Sequence, residues 1–145
     1  MAALRDILAS KGSYVHTISA SSTVRDAIDL MNQKKIGALV VTRADRVVGM
    51  FTERDVLRRV IDHPRPPAEV AVSEVMTADV LCSGPDTTID EASRIMKDRR
   101  IRHLPVCDRD GDILGLVSIG DLNAHHASTQ EAEFHYLQEY VYGRV

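Results

Sequence analysis

Gly49-Met-Phe-Thr-Glu-Arg-Asp55 returns 66 residues later as Gly115-Leu-Val-Ser-Ile-Gly-Asp121. Outward from this pair, Val15, Thr23, Ala27, Met31, Ile36, Leu39, Val41 and Asp45 meet Val80, Thr88, Ala92, Met96, Ile101, Leu104, Val106 and Asp110 at a constant offset of 65. One inserted residue, Gly111, changes the offset to 66. Val15–Leu57 thus repeats as Val80–Asn123, and a duplication of this length implies two copies of one supersecondary unit in a pseudo-symmetric fold. Apolar matches are what any two similar cores would share. The acid that follows a repeated hydroxyl, Thr52 or Ser118, is different, because packing does not require it.

Periodicity supplies the unit. Val15–Ile18 reads as a short strand, and Ser21, Ser22 and Thr23 offer caps ahead of Val24, Ala27, Ile28 and Met31, which have the spacing of an amphipathic helix. Ala38–Thr42 and Val47–Phe51 are short β-branched runs on either side of a polar turn, hence a hairpin. Thr52 caps a second helix carrying Val56, Leu57, Val60 and Ile61, which completes β-α-β-β-α. His63-Pro-Arg-Pro-Pro67 cannot continue a helix and links the units. The second copy has a strand at Val80–Cys82, a helix capped by Thr87 or Thr88 through Ile89, Ala92, Ile95 and Met96, strands at His103–Cys107 and Ile113–Val117, and a helix starting at Ser118. Ala132, Phe134, Leu137, Tyr140 and Val141 suggest an amphipathic tail helix that docks on its own chain or on a partner. The resulting divisions are a lead-in at 1–14, repeat one at 15–61, linker and lead-in at 62–78, repeat two at 79–126 and a C-terminal helix at 127–145.

A chain of 145 residues buries roughly 70% of its unfolded surface as one ordinary domain, so the repeats are expected to share a core. No apolar run approaches the roughly 20 residues that span a bilayer. The alternation of Leu4, Ile7 and Leu8 with Arg5, Asp6 and Lys11 is not that of a signal peptide, which makes a cytoplasmic location the expectation. A net charge of -3 gives no global attraction to nucleic acid or anionic membrane, so any anion site is local. Cys82 and Cys107 lack the spacing of a redox motif or zinc knuckle and read as free structural thiols.

The repeated hydroxyl and acid have a chemical use. Thr52 or Ser118 stands where a strand becomes a helix, and unpaired N–H groups and the helix dipole there favour phosphate. Asp55 or Asp121, one turn on, can accept two hydrogen bonds from a ribose diol. An apolar wall would hold a base. The plain alternative is helix capping, for which a hydroxyl and an acid at this spacing are also common.

These residues resemble the cystathionine β-synthase (CBS) domain, in the tandem arrangement called a Bateman module. Thr23-Val24 with Ala27, Ile36-Gly-Ala-Leu-Val-Val41 and Gly49–Asp55 look like one motif; Thr88-Ile89 with Ala92, Ile101-Arg-His-Leu-Pro-Val106 and Gly115–Asp121 look like the second. Together they cover about 110 of the 145 residues. The resemblance implies an α/β (α+β) fold of tandem β-α-β-β-α repeats with pseudo-twofold symmetry and terminal helices. It also implies clefts between the repeats that bind adenosine-containing ligands such as AMP, ADP, ATP, NAD or S-adenosylmethionine, with no catalytic cofactor. The first cleft would use Ser22, Ala27, Ile36 and Gly37 with His103, Leu116, Ser118 and Asp121. The second would use Thr87, Ile101 and Arg102 with Ala38, Met50, Thr52 and Asp55, and Arg54 adds a cation there. Gly37 and Ala38 correspond to Arg102 and His103, so phosphate-binding cations come mainly from copy two and the clefts are unequal.

Other constellations read less sharply. Lys97, Arg99, Arg100, Arg102 and His103 are a solvated helix end or a phosphate rim; no nucleic-acid signature accompanies them. Asp108-Arg-Asp110-Gly-Asp112 has its glycine at the wrong position for a calcium loop and is a hairpin turn. His125, His126 and His135 lack the placement of a metal site. Met31 and Met96 are core. No P-loop or nucleophile with its base is present, so the expectation is a non-enzymatic regulatory module that signals occupancy to a dimer mate or an unidentified partner protein. Stand-alone family members resemble homodimers of stacked modules, with the tail helix in the contact. The rival reading is a ligand-independent dimerisation or interaction module; slow nucleotide hydrolysis is a third.

Overall fold

The computed structural model describes residues 1–127; the tail helix and His135 lie outside them. The described elements are α1 (Leu4–Lys11), β1 (Thr17–Ser19), α2 (Val24–Lys34), β2 (Ala38–Arg43), β3 (Arg46–Thr52), α3 (Glu53–Asp55) running into a π-helical turn (Val56–Val60), a 3-10 turn (Pro67–Glu69), α4 (Val72–Val75), α5 (Ile89–Arg99), β4 (His103–Cys107), β5 (Ile113–Ser118) and a helix, α6, over 119–127. One sheet has the order β1-β2-β3, with β1 parallel and β3 antiparallel to β2; the other is the antiparallel pair β4-β5.

The apolar run Ala38–Val41 is continuous because β2 is buried on both faces. Leu39 and Val41 join Val24, Ala27, Met31 and Phe51 in the core of the first repeat. Ala38 and Val40, with Met50, face the other way and pack against Ile113 and Leu116, which forms the seam between the repeats. Capping follows the duplication. The Thr23 hydroxyl accepts the Asp26 N–H and the Thr88 hydroxyl accepts the Glu91 N–H, both at 3.1 Å. Both helices end on a left-handed cation, Lys35 or Arg100, each at φ 56.

The strand expected at Val80–Cys82 does not form. In the first copy the Val40 N–H bonds the His16 carbonyl at 3.1 Å, and the position equivalent to Val40 is Pro105, which has no N–H to give. The ladder shrinks to Ser83, whose N–H bonds the Pro105 carbonyl and whose carbonyl accepts the Cys107 N–H. The thiols of Cys82 and Cys107 are free, the first exposed and the second buried. The helix expected after Thr52 also differs. Its π-helical turn buries Val60 but leaves Leu57 and Ile61 67% and 65% exposed. The Asp108 segment is a turn whose Oδ1 accepts the N–H groups of Asp110 and Asp112, both at 2.9 Å.

The duplication extends further than Val15. Ala3 N–H bonds Asp6 Oδ2 and Ala71 N–H bonds Glu74 Oε2, both at 2.8 Å. Leu4 N–H bonds the Thr87 carbonyl as Val72 N–H bonds that of Ser22. The lead-ins are exchanged between cores: Leu4, Ile7 and Leu8 pack with Ile89, Met96, Leu104 and Val117 of the second repeat, whereas Val70, Val72 and Val75 pack with the first. Glycine permits this contact. A Cβ on Gly115 would lie 2.5 Å from Leu8, and one on Gly49 would lie 2.6 Å from Met76 and 2.8 Å from the Thr77 carbonyl.

Candidate functional site

A cavity of about 590 Å3 opens between the repeats, within the size range of small-molecule sites. Its floor is the β3–α3 junction. The Thr52 N–H and hydroxyl both bond Asp55 Oδ2, at 2.9 and 3.3 Å, and the Thr52 hydroxyl accepts the Asp55 N–H at 3.4 Å. The capping alternative is therefore physically present, but it engages only one carboxylate oxygen. Asp55 Oδ1 accepts the Thr77 hydroxyl at 3.0 Å, and a carboxylate oxygen carries two acceptor sites. Asp55 is only 5% exposed.

Of the residues expected in the second cleft, Met50, Thr52, Arg54, Asp55, Ile101 and Arg102 line this cavity, and Gly37 and His103 of the first line it too. Ala38 is buried in the seam beside them. Thr87 stands apart, in a separate recess with Cys82 and Ser83, and its carbonyl holds the start of α1. Ser22 has the matching structural role at the start of α4. Ala27 is fully buried in the first core, with Ile36 packed at its edge. Ser118 and Asp121 form the second capping pair: the Ser118 N–H bonds Asp121 Oδ2 at 2.8 Å and the Ser118 hydroxyl accepts the Asp121 N–H at 3.1 Å. Leu116 lies in the seam.

Sequence reasoning missed the walls supplied by the linker and by the π-helical turn. Thr77 of the linker, Asp79, Val80 and Leu81 at the start of repeat two, and Arg58 and Arg59 line the cavity, and Arg100 of the expected phosphate rim joins Arg54 and Arg102. A signal for Thr77 exists only in the exchanged lead-in, which begins at Ala71 rather than at the start of the recognised repeat. Arg59 is committed, since it donates to the carbonyls of Val75 and Met76 at 3.3 and 2.7 Å. Arg54 reaches across the seam to the Arg100 carbonyl at 3.1 Å. Among the described residues five arginines face three carboxylates, Glu53, Asp55 and Asp79, around the cavity, a balance that attracts anions although the whole chain is negative.

His103 lies where the charges of both halves meet. Burial, followed by the Arg102 charge, holds its imidazole below the ordinary value of 6.5; Lys11 acts in the same direction, and Glu53 and Asp121 oppose. The unfolded chain therefore takes up this proton at a higher pH than the folded one. The contribution of His103 to stability is intact above pH 6.5 and is lost as pH falls below it towards the folded value. Urea unfolding at pH 7.5 and 5.5 should show a smaller stability loss for His103→Gln than for the parent protein.

The sequence profile of the CBS domain matches residues 4–62 and 72–126, each segment starting at a lead-in helix. The chain belongs to the CBS-domain family. The CBS domain-containing protein YhcV of Bacillus subtilis is 31% identical over 132 residues, 91% of either chain. The crystal structure of the CBS-domain containing protein ATU1752 from Agrobacterium tumefaciens superposes with a TM-score of 0.80 at 34% identity, covering 86% of this chain and 98% of that one. The fold is also that of CBSX2 crystallised in complex with AMP, with a TM-score of 0.73 at 23% identity over 90% of this chain and 99% of that one. The CBS pair is thus a regulatory module of mixed helix and strand. Among its described residues no helix is long and apolar enough to cross a membrane.

Proposed function

We propose that this CBS pair is a non-catalytic sensor that binds a phosphorylated adenosine ligand in the Asp55 cavity. One observation carries the reading: a buried carboxylate, bonded to Thr77 through Oδ1, shares a 590 Å3 cavity with Val80, Ile101 and Pro105 and with Arg58, Arg100 and Arg102, whose guanidinium groups have no ion-pair partner among the described residues. The ribose diol bonds Asp55, the base lies on the apolar wall, and the phosphates point to the arginines, which suit planar oxygen groups. AMP in the related CBSX2 fold supports the same ligand class. Ligand would touch both repeats at once, so occupancy alters their packing and is transmitted to a dimer mate or partner protein.

Cation count ranks the ligands. ATP, ADP and NAD bind more tightly than AMP, and S-adenosylmethionine, whose sulfonium is repelled by the arginines, binds weakest. Calorimetry on ligand-free protein tests this order. Arg102→Ala should weaken ATP about tenfold and AMP less, since a charge-assisted hydrogen bond contributes about 1.5–3 kcal/mol. Absence of heat with all five, in a protein that sedimentation shows to be a stable dimer, supports the ligand-independent interaction module. Leu57 and Ile61, exposed four residues apart, favour a contact surface of that kind and are our candidates for a homodimer face in either reading.

A further inference from the structure

The two repeats satisfy their aspartates with different chemistry. At Asp55 the donors belong to Thr77: its hydroxyl bonds Asp55 Oδ1 at 3.0 Å and its N–H bonds the Met50 carbonyl at 2.8 Å. Asp121 and Leu116 are the equivalents of Asp55 and Met50 at the offset of 66. There a single ammonium reaches both the acid and the carbonyl, but it bonds the acid through the oxygen that also accepts the Ser118 N–H. Lys11 Nζ bonds Asp121 Oδ2 at 2.7 Å and the Leu116 carbonyl at 2.9 Å. The cause lies in the lead-ins. α4 stops after four residues and presents its backbone to β3, whereas α1 continues for eight and sends a long side chain from its last position.

The difference matters for a ligand that must use the carboxylate. A hydroxyl is neutral, can rotate, and leaves acceptor capacity on the oxygen it bonds. An ammonium cancels the charge and forms the stronger, charge-assisted bond. It is also displaceable, because the Lys11 and Asp121 side chains keep 38% and 23% of their exposure, and water and salt weaken such a pair.

We propose that Lys11 is a tethered cationic gate on Asp121: it neutralises the carboxylate that a diol would use there, leaves the Asp55 cavity as the ligand-ready site, and must be displaced before a second nucleotide binds. What Asp121 would bind rests on the nucleotide reading above; the contact itself does not. Burial pushes the Asp121 carboxyl up, but Lys11 and the Ser118 N–H outweigh this and hold it below the ordinary carboxylate range.

Two measurements test the gate. In ligand-free protein, NMR titration of the Asp121 carboxyl should show its midpoint rising in Lys11→Met; an unchanged midpoint overturns the contact and with it the gate. Calorimetry with AMP should give one site per chain in the parent protein and a second in Lys11→Met, at least tenfold tighter than any second binding in the parent and removed by adding Asp121→Ala. A Lys11→Met protein without an Asp121-dependent AMP site overturns the gate whatever the parent does. Binding that appears only in Lys11→Met upholds the gate and sinks the open Asp55 cavity, whereas one Asp55-dependent site in both proteins does the reverse.

Discussion

Leu4→Ala should lower stability by about 3 kcal/mol, a large effect for the fourth residue of the sequence. Leu4 is fully buried, and truncating a buried leucine to alanine removes transfer free energy and leaves a cavity, typically costing about 2–5 kcal/mol. Its neighbours in the core are Ile89, Ala92, Met96 and Leu104, all from the second repeat. In a chain of this size the loss corresponds to a midpoint lower by roughly 10 °C. Urea unfolding followed by circular dichroism reads it directly. A change within about 0.5 kcal/mol, the usual range for surface substitutions, would mean that α1 does not close the second core.

Asp55→Ala should weaken nucleotide binding about 100-fold or more. A diol hydrogen bond to an ionised acceptor is worth about 1.5–3 kcal/mol, a second forms when the Thr77 or Thr52 hydroxyl turns away from Asp55, and about 1.4 kcal/mol is a factor of ten in affinity. The substitution also strips the acceptor from the Thr52 N–H and the Thr77 hydroxyl, so stability falls as well. Asp55→Asn separates the two effects, because an amide oxygen still accepts from Thr52 but lacks the charge and half the acceptor capacity. It should retain most of the stability and still lose at least tenfold in AMP affinity by calorimetry. An Asp55→Asn protein that folds and binds AMP like the parent would remove the diol from the mechanism.

The local signals in the sequence translate well. Thr23 and Thr88 cap the helices whose periodicity they precede, and the two-sided burial of β2 is written in the unbroken run Ala38–Val41. Where the reading falls short, the missing information is non-local. Pro105 is unremarkable inside an antiparallel hairpin, yet it dissolves the parallel strand on its other side, because only the pairing partner reveals which N–H is needed. The candidate site was legible at its floor, in Thr52 and Asp55, since capping geometry fixes that spacing. Its walls were not, because Thr77 comes from a linker whose composition says only that the chain turns, and Val80 and Leu81 have the pattern of a strand that does not form. Lys11 gave no signal either: a lysine ending a helix is usually explained by the dipole alone.

The exchanged lead-ins also fix an order of events during synthesis. Within the described fold α1 leaves the ribosome ahead of every other element, yet its apolar partners are in α5, β4, β5 and α6, the last to be made. The first repeat can close as soon as α4 has emerged, while the face carrying Leu4, Ile7 and Leu8 stays uncovered until the second repeat is complete. Such long-range closure slows folding and exposes apolar surface meanwhile. Cutting the chain in the proline-rich linker would therefore not release two independent halves. Each fragment would lack a helix that the other carries, and the halves should recover their structure only when mixed.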